Sequence, residues 1–360
     1  MGRKGFEVWQ NGHMARGERL AGDPQFRKRI ENYSAYLSAK GWFHSIELAD
    51  GKVIPGLISI EELRERIAAF PIPADQRGKR ILDVGAWTGW CTFEMERRGA
   101  EVTAMDCVEL EEFHEAHRLT GSKAKLLILD VEELSPETAG RFDYVLFFGV
   151  FYHLRNPLLG LEKICSVTRE AAFVESYVTD SWASEEERNR APCLLEFYEG
   201  AELGGQLDNW CGPNTNCLLA MCRSAGFARV RLENTVAGRA RITCFRHWEP
   251  PDPNPSQAAP VIRGAVNNRT NDIRFHPGKD EYVCLYFESA ERDLRLDQMR
   301  VEVDGMGAPS LALADRGQGS WQANFRLPPG LESGIHEVRL RTVNSAFSDC
   351  CRIENTAVSG

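Results

Sequence analysis

Four short apolar runs set the strongest constraint on how this chain can fold: "RILDVG" (80–85), "AEVTAMD" (100–106), "KLLILD" (125–130) and "FDYVLFFG" (142–149). Helical segments separate them, and the runs end at an acid or a glycine. Strands buried on both faces read as continuous apolar runs, so this alternation predicts a parallel sheet covered by crossover helices. "AAFVESYV" adds a fifth strand. After a long loop come the helix "CLLAMCRSAGF" and the strands "ARVRLEN" and "RITCFRH", whose closeness predicts an antiparallel addition at one edge. The expected class is α/β: a Rossmann-like, seven-stranded sheet spanning 80–248.

Upstream, 1–79 reads as a helical or lid segment. Asp23 caps a helix with Pro24 at its first position and Gly41 as its stop. Ser59 with Glu62 three positions on is a capping box for a second helix ending before Pro71. "HWEPPDPNPSQAAP" (247–260) is rich in proline, and 249–260 reads as a linker. Beyond it the period becomes two. In "EVRLRT", Val338, Leu340 and Thr342 alternate with Glu337, Arg339 and Arg341, so 261–360 is expected to form an all-β, immunoglobulin-like sandwich.

Composition narrows the partners. A net charge of -9 with no Lys/Arg-rich block argues mildly against a nucleic-acid partner. No long apolar stretch suits a membrane span, and the N-terminus lacks a secretory pattern, so a cytoplasmic protein is expected. Eleven scattered cysteines read as reduced thiols. Cys211, Cys217 and Cys222 match no zinc spacing, and no metal is expected.

In "ILDVGAWTGWCTFE" the strand ends at Val84 and a helix begins near Gly89. A helix N-terminus reached through glycines attracts an anionic group, and Asp106, closing the next strand, suits ribose hydroxyls. The spacing is Gly85-x-x-x-Gly89, with Trp87 where a pyrophosphate would need close approach. Asp130 follows on the third strand, placed to meet an adenine amino group. Alone, Asp83, Asp106 or Asp130 is equally a solubilising strand end; three in order on successive strands point to a ligand. S-adenosylmethionine (SAM), which has one ribose, one adenine and no phosphate, fits this pattern better than a dinucleotide.

Residues 81–106, "FDYVLFFGVFYHLRNPLLGLEKI" and "NWCGPNTNCLLAMCRSAGF" together resemble class I SAM-dependent methyltransferases. More closely, they are similar to the branch of the bacterial tRNA wobble-uridine 5-oxyacetic acid methyltransferases, across roughly 40–248. The resemblance implies that Asp83, Gly85, Ala86, Trp87 and Gly89 form the cofactor turn, with the last four wrapping the methionine part. Asp106 would hold the ribose, Asp130 and Val131 flank the adenine, and Gly149 lie beneath the sulfonium. Carboxy-SAM enzymes of the branch carry a Lys-Gly-Pro stretch. Here "SIELADGKVIPG" offers only Lys52, which favours ordinary SAM.

Methyl transfer to a hydroxyl wants a base, whereas an amine needs only to arrive unprotonated. His153 in "GVFYHLRNP" is the first candidate, or else a helix-capping histidine. Tyr152 can face the sulfonium or the acceptor, and Arg155 an acidic substrate group. Trp42 and His44 read either as core or as a lid, His44 then being a second base. Tyr198, Trp210 and Asn214 lie where methyltransferases insert acceptor-binding elements.

The expected function is methyl transfer to oxygen or nitrogen of a small-molecule, peptide or glycan acceptor. The alternatives are tRNA wobble-uridine modification and a catalytically silent SAM-binding scaffold. The C-terminal part is expected to serve interaction, a homodimer contact among the options.

Overall fold

The computed structural model describes residues 42–276 and 280–356; the proposed helix at 24–40 lies outside them. The chain divides into two compact units. The first runs to Cys222 and includes Val230–Cys244; the second comprises Arg223–Arg229 and everything from Phe245.

Among the described residues, the first unit begins with four short strands, β1 (Trp42–His44), β2 (Ile46–Glu47), β3 (Val53–Ile54) and β4 (Gly56–Ile58). β1 pairs with β4 in parallel and β2 with β3 antiparallel. Gly56 is required there, since a Cβ would lie 2.4 Å from the His44 carbonyl carbon. Helix α1 (Ile60–Ala68) follows, and the Ser59 hydroxyl caps it by accepting from the Glu62 N–H at 3.2 Å. Ile60, Leu63 and Ile67 share its buried face.

The sheet then builds as β5 (Arg80–Val84), α2 (Trp90–Arg97), β6 (Glu101–Asp106), α3 (Glu111–Thr120), β7 (Lys125–Ile128), α4 (Pro136–Ala139), β8 (Phe142–Phe148), α5 (Pro157–Val167) and β9 (Thr168–Tyr177). An insertion holds α6 (Glu185–Arg190), β10 (Leu195–Phe197) and β11 (Cys211–Pro213), followed by α7 (Thr215–Ser224), β12 (Arg229–Val236) and β13 (Arg239–Phe245). The seven-stranded order is β12-β13-β9-β8-β5-β6-β7. β5, β6, β7, β8 and β9 pair in parallel. Ala237 and Gly238, both with positive φ, join β12 to β13 in a two-residue turn that only antiparallel neighbours accommodate. The result is a mixed Rossmann-like sheet. Its order reverses between β5 and β8, where open α/β sheets leave a crevice at the strand ends. Ile81, Leu82, Val145, Leu146, Phe147, Ala172 and Val174 are fully buried, so the crevice sits on a dry, rigid base.

One charge cluster is buried with them. Glu175 on β9, almost wholly inaccessible, pairs with Arg241 on β13 at 3.0 Å and with Arg66 on α1 at 3.6 Å. It ties α1 and the antiparallel edge to a central strand.

The second unit contains β14 (Val261–Asn267), β15 (Arg274–Phe275), β16 (Val283–Glu288), β17 (Met299–Val303), β18 (Met306–Ala308), β19 (Ser310–Gly317), β20 (Ser320–Phe325), β21 (Gly334–Thr342) and β22 (Cys351–Asn355). They form a four-stranded sheet, β14-β16-β20-β19, and a five-stranded one, β15-β22-β21-β17-β18. Leu285, Phe287 and Phe325 of the former and Val301, Val338, Leu340 and Ile353 of the latter belong to one apolar cluster. The unit takes in the start of the proline-rich stretch as well. Trp248 Nε1 donates to the Val301 carbonyl at 2.7 Å, and Glu249 pairs with Arg300 at 2.6 Å. The period-two reading fails at Arg341. Instead of facing water it is 1% exposed, donating to the Glu249 carbonyl at 2.6 Å with its guanidinium near the Phe347 ring.

Removing one partner of a buried charge group leaves the others uncompensated. Glu175→Ala should therefore lower the unfolding free energy by about 3–5 kcal/mol, read from urea denaturation, whereas a change within ~0.5 kcal/mol would show the cluster to be energetically neutral.

Candidate active site

The turn from β5 into α2 is tightly bent. Gly85 (φ 70°), Trp87 (φ 50°) and Gly89 (φ 88°) all occupy the left-handed region, which for a tryptophan is strained. A Cβ on Gly85 would come within 2.3 Å of Val150 Cγ2. The Trp87 N–H donates to Asp106 Oδ2 at 3.0 Å, and the Val108 N–H donates to Asp106 Oδ1 at 3.2 Å. The carboxylate thereby fixes both the turn and the loop after β6. Ala86 is buried, while the Trp87 indole is 38% exposed, with Phe43 edge-on at 6.1 Å. Gly89 caps α2 without a side-chain hydrogen bond.

Asp83 lies beneath the turn, 3% exposed, accepting from Thr92 Oγ1 at 2.6 Å. Burial pushes its carboxyl up to about 6, offset by the Thr92 bond and reinforced by the Asp106 charge. Asp130 stands two positions past the end of β7. Its side chain accepts from the Glu132 N–H at 2.8 Å and caps a 3-10 turn over Val131–Glu133, because a short carboxylate competes for backbone N–H groups where a strand stops. Val131 is buried.

His44 reaches the same turn from β1, its N–H donating to Thr88 Oγ1 at 3.1 Å. Its ring is 6% exposed, with Nδ1 buried and unpartnered. Burial, and then the Arg66 charge, push it down to about 3. That removes His44 from the role of base near neutrality. Trp42 is half-buried in β1, and Lys52 is exposed and paired with Asp50 at 2.6 Å.

The other wall starts at the end of β8. Gly149 (φ 76°) donates its N–H to the Glu175 carbonyl, and a 3-10 turn over Phe151–His153 follows. Tyr152 is buried, with the Arg239 guanidinium 4.8 Å from its ring centroid and the His153 ring at 4.4 Å. His153 Nδ1 lies 3.1 Å from the Asp208 carbonyl oxygen and 3.5 Å from its Oδ2. Burial lowers the imidazole's affinity for a proton; Asp208 works against that.

The insertion folds back onto this turn. The Trp210 N–H donates to the Tyr152 carbonyl at 2.7 Å, and Arg155 lies 4.3 Å from the Trp210 ring centroid. Tyr152, Tyr177, Tyr198 and Leu203 form a buried cluster. The Tyr198 hydroxyl donates to Glu196 at 3.1 Å, and burial raises its pKa strongly. Asn214 has another task. Its Oδ1 accepts from the Cys217 and Leu194 N–H groups and its Nδ2 donates to the Pro192 carbonyl, so it caps α7 and pins the insertion instead of facing an acceptor.

Sequence reasoning missed Arg239, Tyr177 and Asp208. Arg239 and Arg241 alternate with Ala240 and Ile242, a period-two signal that put two arginines on one face. Asp208 carried no such signal, because only the folded insertion brings it to His153. Among the described residues no group of three or more His, Cys, Asp or Glu side chains is arranged to hold a metal ion.

The turn from Gly85 to Gly89 holds no Lys or Arg, and two carboxyl groups border it. A ribose-bearing ligand can place its hydroxyls on the Asp106 carboxylate at the end of β6. Fold and turn together define a nucleoside-binding α/β domain. Residues 58–215 match the family model for a methyltransferase domain, and this part of the chain is a class I, SAM-dependent methyltransferase domain with relatives among the tRNA wobble-uridine enzymes.

Magnesium-protoporphyrin O-methyltransferase of Rhodobacter capsulatus is 29% identical over 38% of this chain and 62% of its own. The tRNA U34 carboxymethyltransferase of Mannheimia succiniciproducens is 30% identical over 45% of this chain and 49% of its own. The chain thus covers less than two thirds of either relative. Among solved structures, the N-terminal domain of EvdMO1 with SAH bound is 24% identical, with a TM-score of 0.42, over 61% of this chain and 95% of that one.

Two buried groups give stability opposing pH dependences. Asp83, raised from 3.8 to about 6, holds a proton in the folded state where the unfolded chain has lost it, so its contribution falls as pH rises through that interval. His44, lowered from 6.5 to about 3, is neutral when folded while the unfolded chain is protonated, so its contribution rises with pH across that interval. In urea midpoints measured at successive pH values, Asp83→Asn should steepen the rise toward neutrality and His44→Gln should flatten it. Parallel profiles for wild type and both variants would contradict this assignment.

Proposed function

We propose that the chain transfers a methyl group from SAM to an oxygen or nitrogen of a small-molecule, peptide or glycan acceptor. The observation that carries this reading is the Asp106 carboxylate seated on the Trp87 N–H, which leaves an acid-bordered turn without a cation. When bound, SAM supplies an electrophilic methyl on a sulfonium, and much of the rate of such a displacement comes from alignment.

In this reading Gly85, Ala86, Trp87 and Gly89 hold the methionine part, and Asp106 receives the ribose. Asp130 and Val131 flank the adenine, and Gly149 leaves room beneath the sulfonium. Trp42, Arg155, Tyr198 and Trp210 border the acceptor, Tyr152 presents its ring, and His153 takes the proton. The C-terminal unit reads as a β-sandwich serving interaction, since its two sheets draw on one apolar cluster. The tRNA reading draws support from the similarity to tRNA U34 carboxymethyltransferases. It is opposed by the charge of -9 and by Lys52, which is exposed and paired with Asp50.

Titration calorimetry with S-adenosylhomocysteine, the demethylated product, should give binding that Asp106→Ala weakens about 10–100-fold, the worth of hydrogen bonds to a charged group. Binding of NAD in its place would defeat the proposal. With methyl-labelled SAM, label is expected in metabolite or peptide fractions; label in tRNA alone would establish the second reading.

A further inference from the structure

Resting on the assignment of His153 as the base, we propose that Asp208 locks the tautomer of His153, and that the acceptor is therefore a hydroxyl. The imidazole Nδ1 lies 3.1 Å from the main-chain carbonyl oxygen of Asp208. A carbonyl can only accept, so Nδ1 carries the hydrogen. In the neutral ring the other nitrogen, Nε2, then holds the lone pair. Asp208 Oδ2, at 3.5 Å from the same Nδ1, adds a charge that stabilises the ring once it has taken up a proton.

The arrangement comes from both sides of the site. His153 ends the 3-10 turn after β8, beside the buried Tyr152 ring. Asp208 belongs to the insertion, which the Trp210 N–H anchors to the Tyr152 carbonyl at 2.7 Å. Four influences act on the imidazole. Burial and the Arg239 guanidinium on β13 disfavour its protonation, while Asp208 and, more weakly, Asp106 at the end of β6 favour it. The residue is neutral where it must accept a proton and has a carboxylate nearby when it has done so.

An amine acceptor that arrives unprotonated has no need of this pair before transfer, whereas a hydroxyl does. As the acceptor oxygen bonds to the methyl carbon, its proton passes to Nε2, and the carbon–sulfur bond breaks with its electron pair left on sulfur. His153 later returns the proton to solvent. Charge is balanced without any further reactant. Asp208 is a positioning residue, acting only through His153.

The test does not need the acceptor. In protein labelled with 15N-histidine, the imidazole signals of His153 are assigned by their loss in His153→Gln. Their two-bond correlations above the titration midpoint should show protonated Nδ1 and bare Nε2, the reverse of the form a free histidine prefers. An Nε2–H form would overturn the proposal. Asp208→Asn keeps the carbonyl, so the tautomer should persist while the midpoint falls by roughly half a pH unit, as expected for a partly exposed pair; an unchanged midpoint would remove the carboxylate from the mechanism. S-adenosylhomocysteine binding measured on the same samples reports on the underlying reading separately, because its loss would sink the methyltransferase assignment without altering the tautomer. In any labelled product the methyl should be on oxygen, and a methyl on nitrogen would overturn the inference.

Discussion

The hydrogen bond from the Trp87 N–H to Asp106 holds the site together. It spans adjacent parallel strands at their carboxyl ends, and it compensates a tryptophan held at φ 50°, where a bulky residue carries a cost. The same carboxylate accepts from Val108, so one side chain sets the shape of the β5–α2 turn and of the loop after β6. Gly85 lets Val150 approach from the β8 side, which brings the third border of the crevice against the turn. The glycines supply conformational freedom; the aspartate removes it again.

Behind that face, Glu175 does for the strands what Asp106 does for the loops. Its carboxylate takes arginines from α1 and β13, and its carbonyl receives the Gly149 N–H where the turn that carries His153 begins. A buried carboxylate with two guanidinium partners is a poor source of net stability compared with apolar packing. Its value lies in register, because each arginine can reach it only if helix and edge strand sit where they do. Arg239, two positions from Arg241 on the same face of β13, is thereby set over the Tyr152 ring.

The sequence disclosed the parts of this fold whose physics is local. Strands buried on both faces must be apolar runs, and a strand-to-helix turn of this kind must carry glycines, so β5 through β9 and the glycine turn after β5 were legible. Asn214 was legible too, had it been weighed as a cap, since an asparagine directly before a helix satisfies orphan N–H groups more often than it meets a substrate. His44 read as a base because its type was visible and its surroundings were not; burial and the Arg66 charge both disfavour its protonated form. Arg341 broke the period-two pattern for a related reason: a guanidinium can be buried when a carbonyl and an aromatic face receive it. Contacts such as His153 with Asp208 depend on where a long insertion returns, and no local pattern encodes that.

The electrostatics of the turn also explain why Trp87 is tolerable. Burial, reinforced by the Asp106 charge, forces the Asp83 carboxyl up to about 6. No Lys or Arg stands in the turn to offset these carboxyl groups. Folding alone does not recover that cost. A bound cation would offset it. Trp87 adds a separate, steric selection, since a bulky side chain stands where a dinucleotide turn has glycine, whereas an acid such as Asp106 serves a ribose in either kind of site.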